Sequence, residues 1–363
     1  MREALRSPTA RVREWAWQPL PYHAVLPART LLRVTGWALL DDARPTRWSS
    51  VLKRFAPAAL TAGAGGRREV LAYRSSLLAD LPGLLRAPRL LGLDDGADGS
   101  VWLWLEDVGD VYGRRWPLAQ FGRAARHLGA FNGAYLVARA RPTEPWLNDW
   151  PARRPGANPG PEDVAALARV GQQAAVQRLF DAPIGPRAVQ VLRDQAGFVR
   201  RLTALPQTLC HHESSLANLF AVRGPDGELE TVAVDWEQVG SGPIGADIAT
   251  LVFGTLRRCE FDAAQAAQLD RVVFDGYLDG LRDAGWTGPI DHARLGFAAA
   301  VALRWGFLAG ALRELLAGAP DVQHPSHGEP ISTEAAVRQW VRLIEFLLER
   351  AQEARRLSGR LTP

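Results

Sequence analysis

Apolar and polar positions divide the chain into two parts of different character. In the first third, residues 30–42 (TLLRVTGWALLDD) and 47–56 (RWSSVLKRFA) are rich in branched and aromatic side chains. The turn residues DDARPT separate them, so the pattern predicts two antiparallel strands. Residues 63–81 open with glycines and become helical, placing Val70, Tyr73, Leu77 and Leu78 on one face. Segments 88–95 and 100–108 predict two more strands, with Trp102 and Trp104 sharing a face near the hinge. Beyond about residue 108 the period becomes helical, and 117–138, 162–180, 186–203, 262–284, 293–318 and 333–356 each predict an amphipathic helix. Ser332 is the expected N-cap of the last, whose apolar face carries Val337, Trp340, Val341 and Ile344. Only 216–224 and 231–238 read as strands in this part, joined by the hairpin turn PDGE. The Pro/Gly-rich stretches 151–161 and 318–331 read as loops. The expectation is an α+β architecture, with a small β-rich N-lobe over 1–105 and a larger helical C-lobe over 106–363.

Length and composition agree with that outline. A chain of 363 residues exceeds what one core usually organises, and 47% hydrophobic with 23% charged residues fits a globular protein. The formal net charge is +4, and cations and acids are interspersed, so no nucleic-acid arm is expected. The N-terminus, MREALRSPTARVREWAW, lacks the apolar core of a signal peptide. Arg304, Arg313 and Glu314 interrupt the most apolar run, 296–319, which predicts a buried helix rather than a membrane span. No membrane partner and a cytoplasmic location are therefore expected. Cys210 and Cys259 form neither a metal pattern nor a disulfide framework. Cys210 follows a strand-like QTL and is expected to be buried and inert. Of the 43 Lys and Arg residues, only Lys53 is a lysine.

The chemistry concentrates in residues 209–251. Glu213 and Asn218 lie five positions apart in a loop, and Asp235 ends the apolar run Val232-Ala233-Val234. Hairpin pairing brings Asn218 and Asp235 close. An amide oxygen with a carboxylate is hard-oxygen chemistry suited to Mg²⁺ that shares phosphate oxygens. A carboxylate at 213 can take a proton from an attacking hydroxyl. The run His211-His212-Glu213 invites a metal reading, but adjacent loop residues rarely converge on one ion and the H-E-x-x-H spacing is absent.

In this order and spacing the sequence resembles the aminoglycoside phosphotransferase and choline kinase superfamily, relatives of the protein kinases. The family pattern H-x-D-x-x-x-x-N, then an apolar strand ending in Asp, then G-P-x-x-x-D, is met by His211-His212-Glu213 with Asn218, by Val234-Asp235-Trp236-Glu237, and by Gly242-Pro243 through Asp247. Lys53 in VLK, Glu69 and Tyr73 in REVLAYRSSLL, and ARHLGAFNGAYL at 125–136 extend the likeness over roughly 30–310. The resemblance implies a bilobal protein-kinase-like fold that uses ATP or GTP with Mg²⁺. It implies that Lys53 holds the α- and β-phosphates and that Glu69 orients it. Asn218 and Asp235 would bind Mg²⁺, and the segment around 104–109, with Leu105 and Glu106, would meet the adenine. Glu213 would be the catalytic base. Asp247 would pin the catalytic loop, His211 would bond backbone carbonyls within it, and His212 would face outward. A compact ammonium fits between two phosphates and a glutamate better than a planar guanidinium, which accounts for a single lysine in an arginine-rich chain.

Two departures stand out. The family's catalytic Asp is Glu213 here, and a misplacement of ~1 Å can cost ~10²-fold in rate. The stretch 19–32, where a glycine-rich loop belongs, has no glycine and carries Pro19, Pro21 and Pro27, which have no N–H to offer a phosphate. Three readings follow. One is a kinase acting on a hydroxyl of a small molecule or peptide. The second is a nucleotide-binding pseudokinase that serves a protein partner. The third is a kinase fold reused for other chemistry or ligand binding. Near the C-terminus, Glu345, Glu349 and Glu353 mix with Arg338, Arg342 and Arg350, which does not favour a polycationic acceptor.

Overall fold

The computed structural model describes residues 2–20, 29–40, 44–61, 65–113, 115–150, 160–318 and 331–360, with main chain alone at Trp305. Most of the glycine-free stretch (21–28), part of the first turn (41–43), the glycine at 63, and the loop residues 151–159 and 319–330 lie outside the described residues. The strands are β1 (Arg11–Pro19), β2 (Arg29–Leu39), β3 (Pro45–Phe55), β4 (Leu85–Arg86), β5 (Leu90–Asp95), β6 (Val101–Glu106), β7 (Asn148–Asp149), β8 (Gln207–Cys210), β9 (Leu219–Arg223), β10 (Leu229–Ala233) and β11 (Gly240–Pro243). The helices are α1 (Arg2–Leu5), α2 (Gly65–Arg74), α3 (Leu118–Val137), α4 (Pro161–Gly171), α5 (Ala174–Gln177), α6 (Ile184–Ala204), α7 (Ala246–Arg257), α8 (Ala266–Asp283), α9 (Ile290–Ala302), α10 (Trp305–Ala317) and α11 (Thr333–Arg360).

Two units divide these elements. The first comprises residues 1–81, 85–111 and 220–239. Its five-stranded sheet has the order β1-β2-β3-β6-β5 and is antiparallel throughout. Alternation along β3 sends Trp48 and Leu52 to one face, where they pack with Val34 and Ala38 of β2 and with partly buried Trp102 and Trp104. Lys53 and Phe55 are buried further along the strand, beside Leu103 and Val101 of β6. A second sheet, β4-β10-β9, carries the hairpin. The sequence division at 105/106 placed that hairpin in the helical lobe, whereas it packs here with the first unit.

β1 was not anticipated. All nine of its residues are exposed, Trp15 by 62% and Trp17 by 57%, so no buried face imprints an alternation on the sequence. Arg13 interrupts its register with β2.

The second unit comprises residues 82–84, 112–219 and 240–363. Around its buried α7 and α9 pack the amphipathic α6, α8 and α11. Ser332 Oγ accepts the Ala335 N–H at 3.2 Å, the expected cap of α11. Three expectations change. Helix α7 was missed, although ten of its twelve residues are buried. The predicted helix 293–318 is two helices, broken at Leu303-Arg304. The predicted helix 162–180 stops at Gly171, with only the short α5 after it. Strands β7, β8 and β11 form a small third sheet that the sequence reading did not assign. Among the described residues no single helix is long and apolar enough to cross a membrane.

Candidate active site

In the first unit, Lys53 is the centre of a buried charge cluster. Its Nζ donates to Glu69 Oε2 at 2.5 Å and to Asp235 Oδ1 at 2.7 Å. The lysine sits near the end of β3, Glu69 on the buried face of α2, and Asp235 just after β10. Asp235 has φ +64°, a left-handed conformation that Asp tolerates better than most residues. It turns the chain out of the strand into a 3-10 turn at Trp236–Gln238. Glu237 from that turn pairs with Arg29, and its carbonyl accepts from Arg68. Gly65 opens α2 against the same residue, and a Cβ there would stand 2.8 Å from Glu237 Oε2. Two cations, Lys53 and Arg29, thus face three carboxylates.

The electrostatics follow from that excess. Burial disfavours the Lys53 ammonium, but attraction to Asp235 and Glu69 outweighs it and holds the lysine charged. Burial raises the Glu69 carboxyl to about 7, opposed by Lys53 and reinforced by repulsion from Asp235. Tyr73, one helical turn from Glu69, is buried, and its hydroxyl has no hydrogen-bond partner among the described residues.

The loop after β8 belongs to the second unit, and Asp247 organises it. One carboxylate oxygen accepts the His212 amide at 2.7 Å. The other accepts the His211 amide at 3.1 Å and Asn132 Nδ2 at 3.0 Å. Ser214 Oγ donates to the Asp247 carbonyl at 2.6 Å. Gly245 makes this possible: it has φ +87°, and a Cβ there would meet Ala293 O at 2.3 Å. His211 accepts the Glu213 amide through Nδ1 at 3.1 Å. His212 does not face outward. It is buried with φ +67°, bonds the Ser241 carbonyl through Nε2 at 3.1 Å, and lies against Trp150. Asn218 Nδ2 donates to the Glu213 carbonyl at 2.9 Å, which leaves its oxygen as the atom to offer a metal.

Cys210, His212 and Asp247 bring donor atoms within 4.8 Å of one another. Both Asp247 oxygens already accept N–H groups, and burial pushes the Cys210 thiol up, so this group reads as a hydrogen-bonded knot and Cys210 as inert. In the first unit, Leu105 is buried within the β6 ladder, and Glu106 accepts from Arg86 at 2.8 Å and from the Arg89 amide at 3.0 Å. Those side chains are committed to the sheet, which leaves main-chain atoms as their means of meeting a ligand.

Sequence reasoning missed Arg29 and Arg304. Both are single arginines in an arginine-rich chain, and nothing local marks them. Arg304 occupies the break between α9 and α10 and reaches Thr250 at 2.8 Å.

By sequence alone the chain matches no family profile and no curated protein. By structure it superposes on an amicoumacin kinase in complex with AMP-PNP, Ca²⁺ and Ami, with a TM-score of 0.51 at 11% identity, over 95% of this chain and 88% of that one. The chain has a protein-kinase-like fold. An aminoglycoside phosphotransferase from Alicyclobacillus acidocaldarius matches at a TM-score of 0.49 and 14% identity, over 90% of this chain and 91% of its own. One from Streptomyces rimosus matches at 0.42 and 18%, over 80% and 93%. Within this fold, the buried Lys53 cluster and the Asp247-pinned loop are the two groupings that hold the residues the sequence singled out.

Proposed function

We propose that the chain is a phosphotransferase that moves the γ-phosphoryl group of ATP or GTP to a hydroxyl of a small molecule or peptide. The observation that carries this reading is the chain's one lysine, buried and held by two carboxylates, one from a helix and one from the turn after β10. A structural lysine needs one partner. An ammonium aimed by two, in a cluster with a third carboxylate, suits a site completed by phosphates and a divalent cation. The likeness to a kinase complexed with AMP-PNP and Ca²⁺ supports the same reading.

By their chemistry, the Asp235 carboxylate and the Asn218 amide oxygen are each hard ligands of the kind Mg²⁺ takes. When bound, the ion would offset phosphate charge. Lys53, steadied by Glu69, would position the α- and β-phosphates. Leu105 and Glu106 would meet the base through main-chain groups. Glu213 would take the acceptor's hydroxyl proton as the hydroxyl oxygen bonds to the γ-phosphorus and the bond from that phosphorus to the β-bridging oxygen breaks, releasing ADP or GDP. Asp247 and His211 would hold the loop that carries Glu213.

Calorimetry with Mg-ATP tests the reading. Binding is expected, and silence at about 1 mM nucleotide would remove it. With a panel of hydroxylated small molecules, Glu213→Asp is expected to lose about 10²-fold in turnover, because the loop is built for the longer side chain. A gain in rate would sink Glu213 as the native base. The Glu at this position also keeps open a nucleotide-binding partner subunit without turnover, which predicts binding but no ATP consumption across the panel.

A further inference from the structure

Arg304 is a half-buried cation of the second unit without an ion pair among the described residues. Leu303 and Arg304 stand between two thirteen-residue helices, and the break releases the guanidinium from helical geometry. Its Nη2 donates to Thr250 Oγ1 at 2.8 Å, and that hydroxyl donates to the His212 carbonyl at 3.1 Å. The next residue is Glu213. The guanidinium carbon lies over the Phe253 ring at 5.6 Å, and Phe253 meets Phe307 edge-on at 5.1 Å. Arg257 stacks over Phe307 from an exposed position, at 5.5 Å. Arg304 Nε is enclosed and has no acceptor, and the guanidinium makes no ion pair among the described residues. Arg258 Nη1 nearby in sequence is also enclosed without an acceptor.

An enclosed guanidinium with an idle N–H is costly unless an anion completes it. Burial lowers the Arg304 pKa, the field of Glu213 opposes that fall, and Arg257 adds to it. A carboxylate or phosphate would supply both the missing charge and the missing acceptor, and a guanidinium fork matches either in a two-pronged bond.

We propose that Arg304 binds an oxyanion carried by the acceptor, so that the substrate is an anionic hydroxy compound, a hydroxy carboxylate or a phosphate ester, rather than a polycation. This rests on the phosphotransferase reading. The tether through Thr250 to His212 sets the anion-binding guanidinium beside the residue that takes the hydroxyl proton. Arg304 is then a specificity residue, and the aromatic pair beneath it keeps the fork flat.

Calorimetry on the full chain tests this with two probes, inorganic phosphate and glycerate, on the wild type, Arg304→Gln and Lys53→Met. At least one probe is expected to bind, to weaken tenfold or more in Arg304→Gln, and to hold within about twofold in Lys53→Met. The probe that responds names the source, phosphate ester or carboxylate. Equal affinity in wild type and Arg304→Gln, or no binding of either probe to the wild type, overturns the assignment. Should Arg304→Gln fail to fold, Arg304→Lys serves: charge is kept, the fork is lost, and affinity is expected to fall severalfold, with no change counting against the proposal. Mg-ATP titration of the same proteins separates the two readings. Arg304→Gln keeps nucleotide affinity and Lys53→Met loses it if both hold. Arg304-dependent anion binding in a wild type that ignores Mg-ATP overturns the acceptor role.

Discussion

The two charged clusters are compensated in opposite ways. Around Lys53, two cations meet three carboxylates, and every charge has a partner within bonding distance. Around Arg304, the guanidinium meets a hydroxyl and an aromatic ring, with Glu213 felt only through its field. Removing one partner of a buried ion pair exposes the other to its full desolvation cost, whereas removing a charge that has no partner relieves one. On the two readings proposed above, the residual charge at each cluster matches the ligand proposed for it: a divalent cation carrying phosphates at the first, an oxyanion at the second.

The largest test of that contrast is Lys53→Met. It leaves Glu69 and Asp235 buried without their ammonium, and a loss of about 3–5 kcal/mol is expected in chemical denaturation. A variant as stable as the wild type would break the account of the first cluster. Arg304→Met is expected to move the other way, holding or gaining about 1 kcal/mol in the ligand-free protein, because no ion pair is lost. A fall of more than about 2 kcal/mol would make Arg304 a structural strap and erase the contrast.

The smallest effect concerns Glu69. Its folded pKa of about 7 lies above the ordinary 4.5, so between those values the folded chain keeps a proton that the unfolded chain has released. The stability from that proton is fully present below the lower value and is lost as pH rises through the upper one. Glu69→Gln mimics the protonated form. Its Tm relative to the wild type is therefore expected to improve by a few degrees between about pH 5 and about pH 8. A difference that stays flat or reverses would show that Lys53 fully offsets the carboxylate's burial.

Much of this was legible in the sequence, and the gaps have physical causes. Strands β2 and β3 declared themselves because one face is buried and the alternation is written in branched and aromatic side chains. Lys53 stood out by rarity. Glu213, Asn218, Asp235 and Asp247 stood out by their spacing alone. The break at Leu303-Arg304 was hidden by an apolar run that continues on both sides. His212 was misplaced because nothing local distinguishes an outward histidine from one that folds back to Ser241. Arg304 and Arg29 were invisible for the reason that made Lys53 visible: arginine is this chain's default cation.

The first unit is not contiguous in sequence, and this bears on how the protein is made. Its sheet strands are synthesised early, but the hairpin β9–β10 and Asp235 follow after more than a hundred residues of the other unit. Lys53 and Asp235 are 182 positions apart. On the ribosome the nascent β3 must therefore wait with its ammonium half-satisfied until well over half the chain has emerged. Vectorial folding cannot finish the N-terminal portion first. The first unit is bound to mature late, and an expression truncation that ends before residue 235 leaves Lys53 without its Asp235 partner.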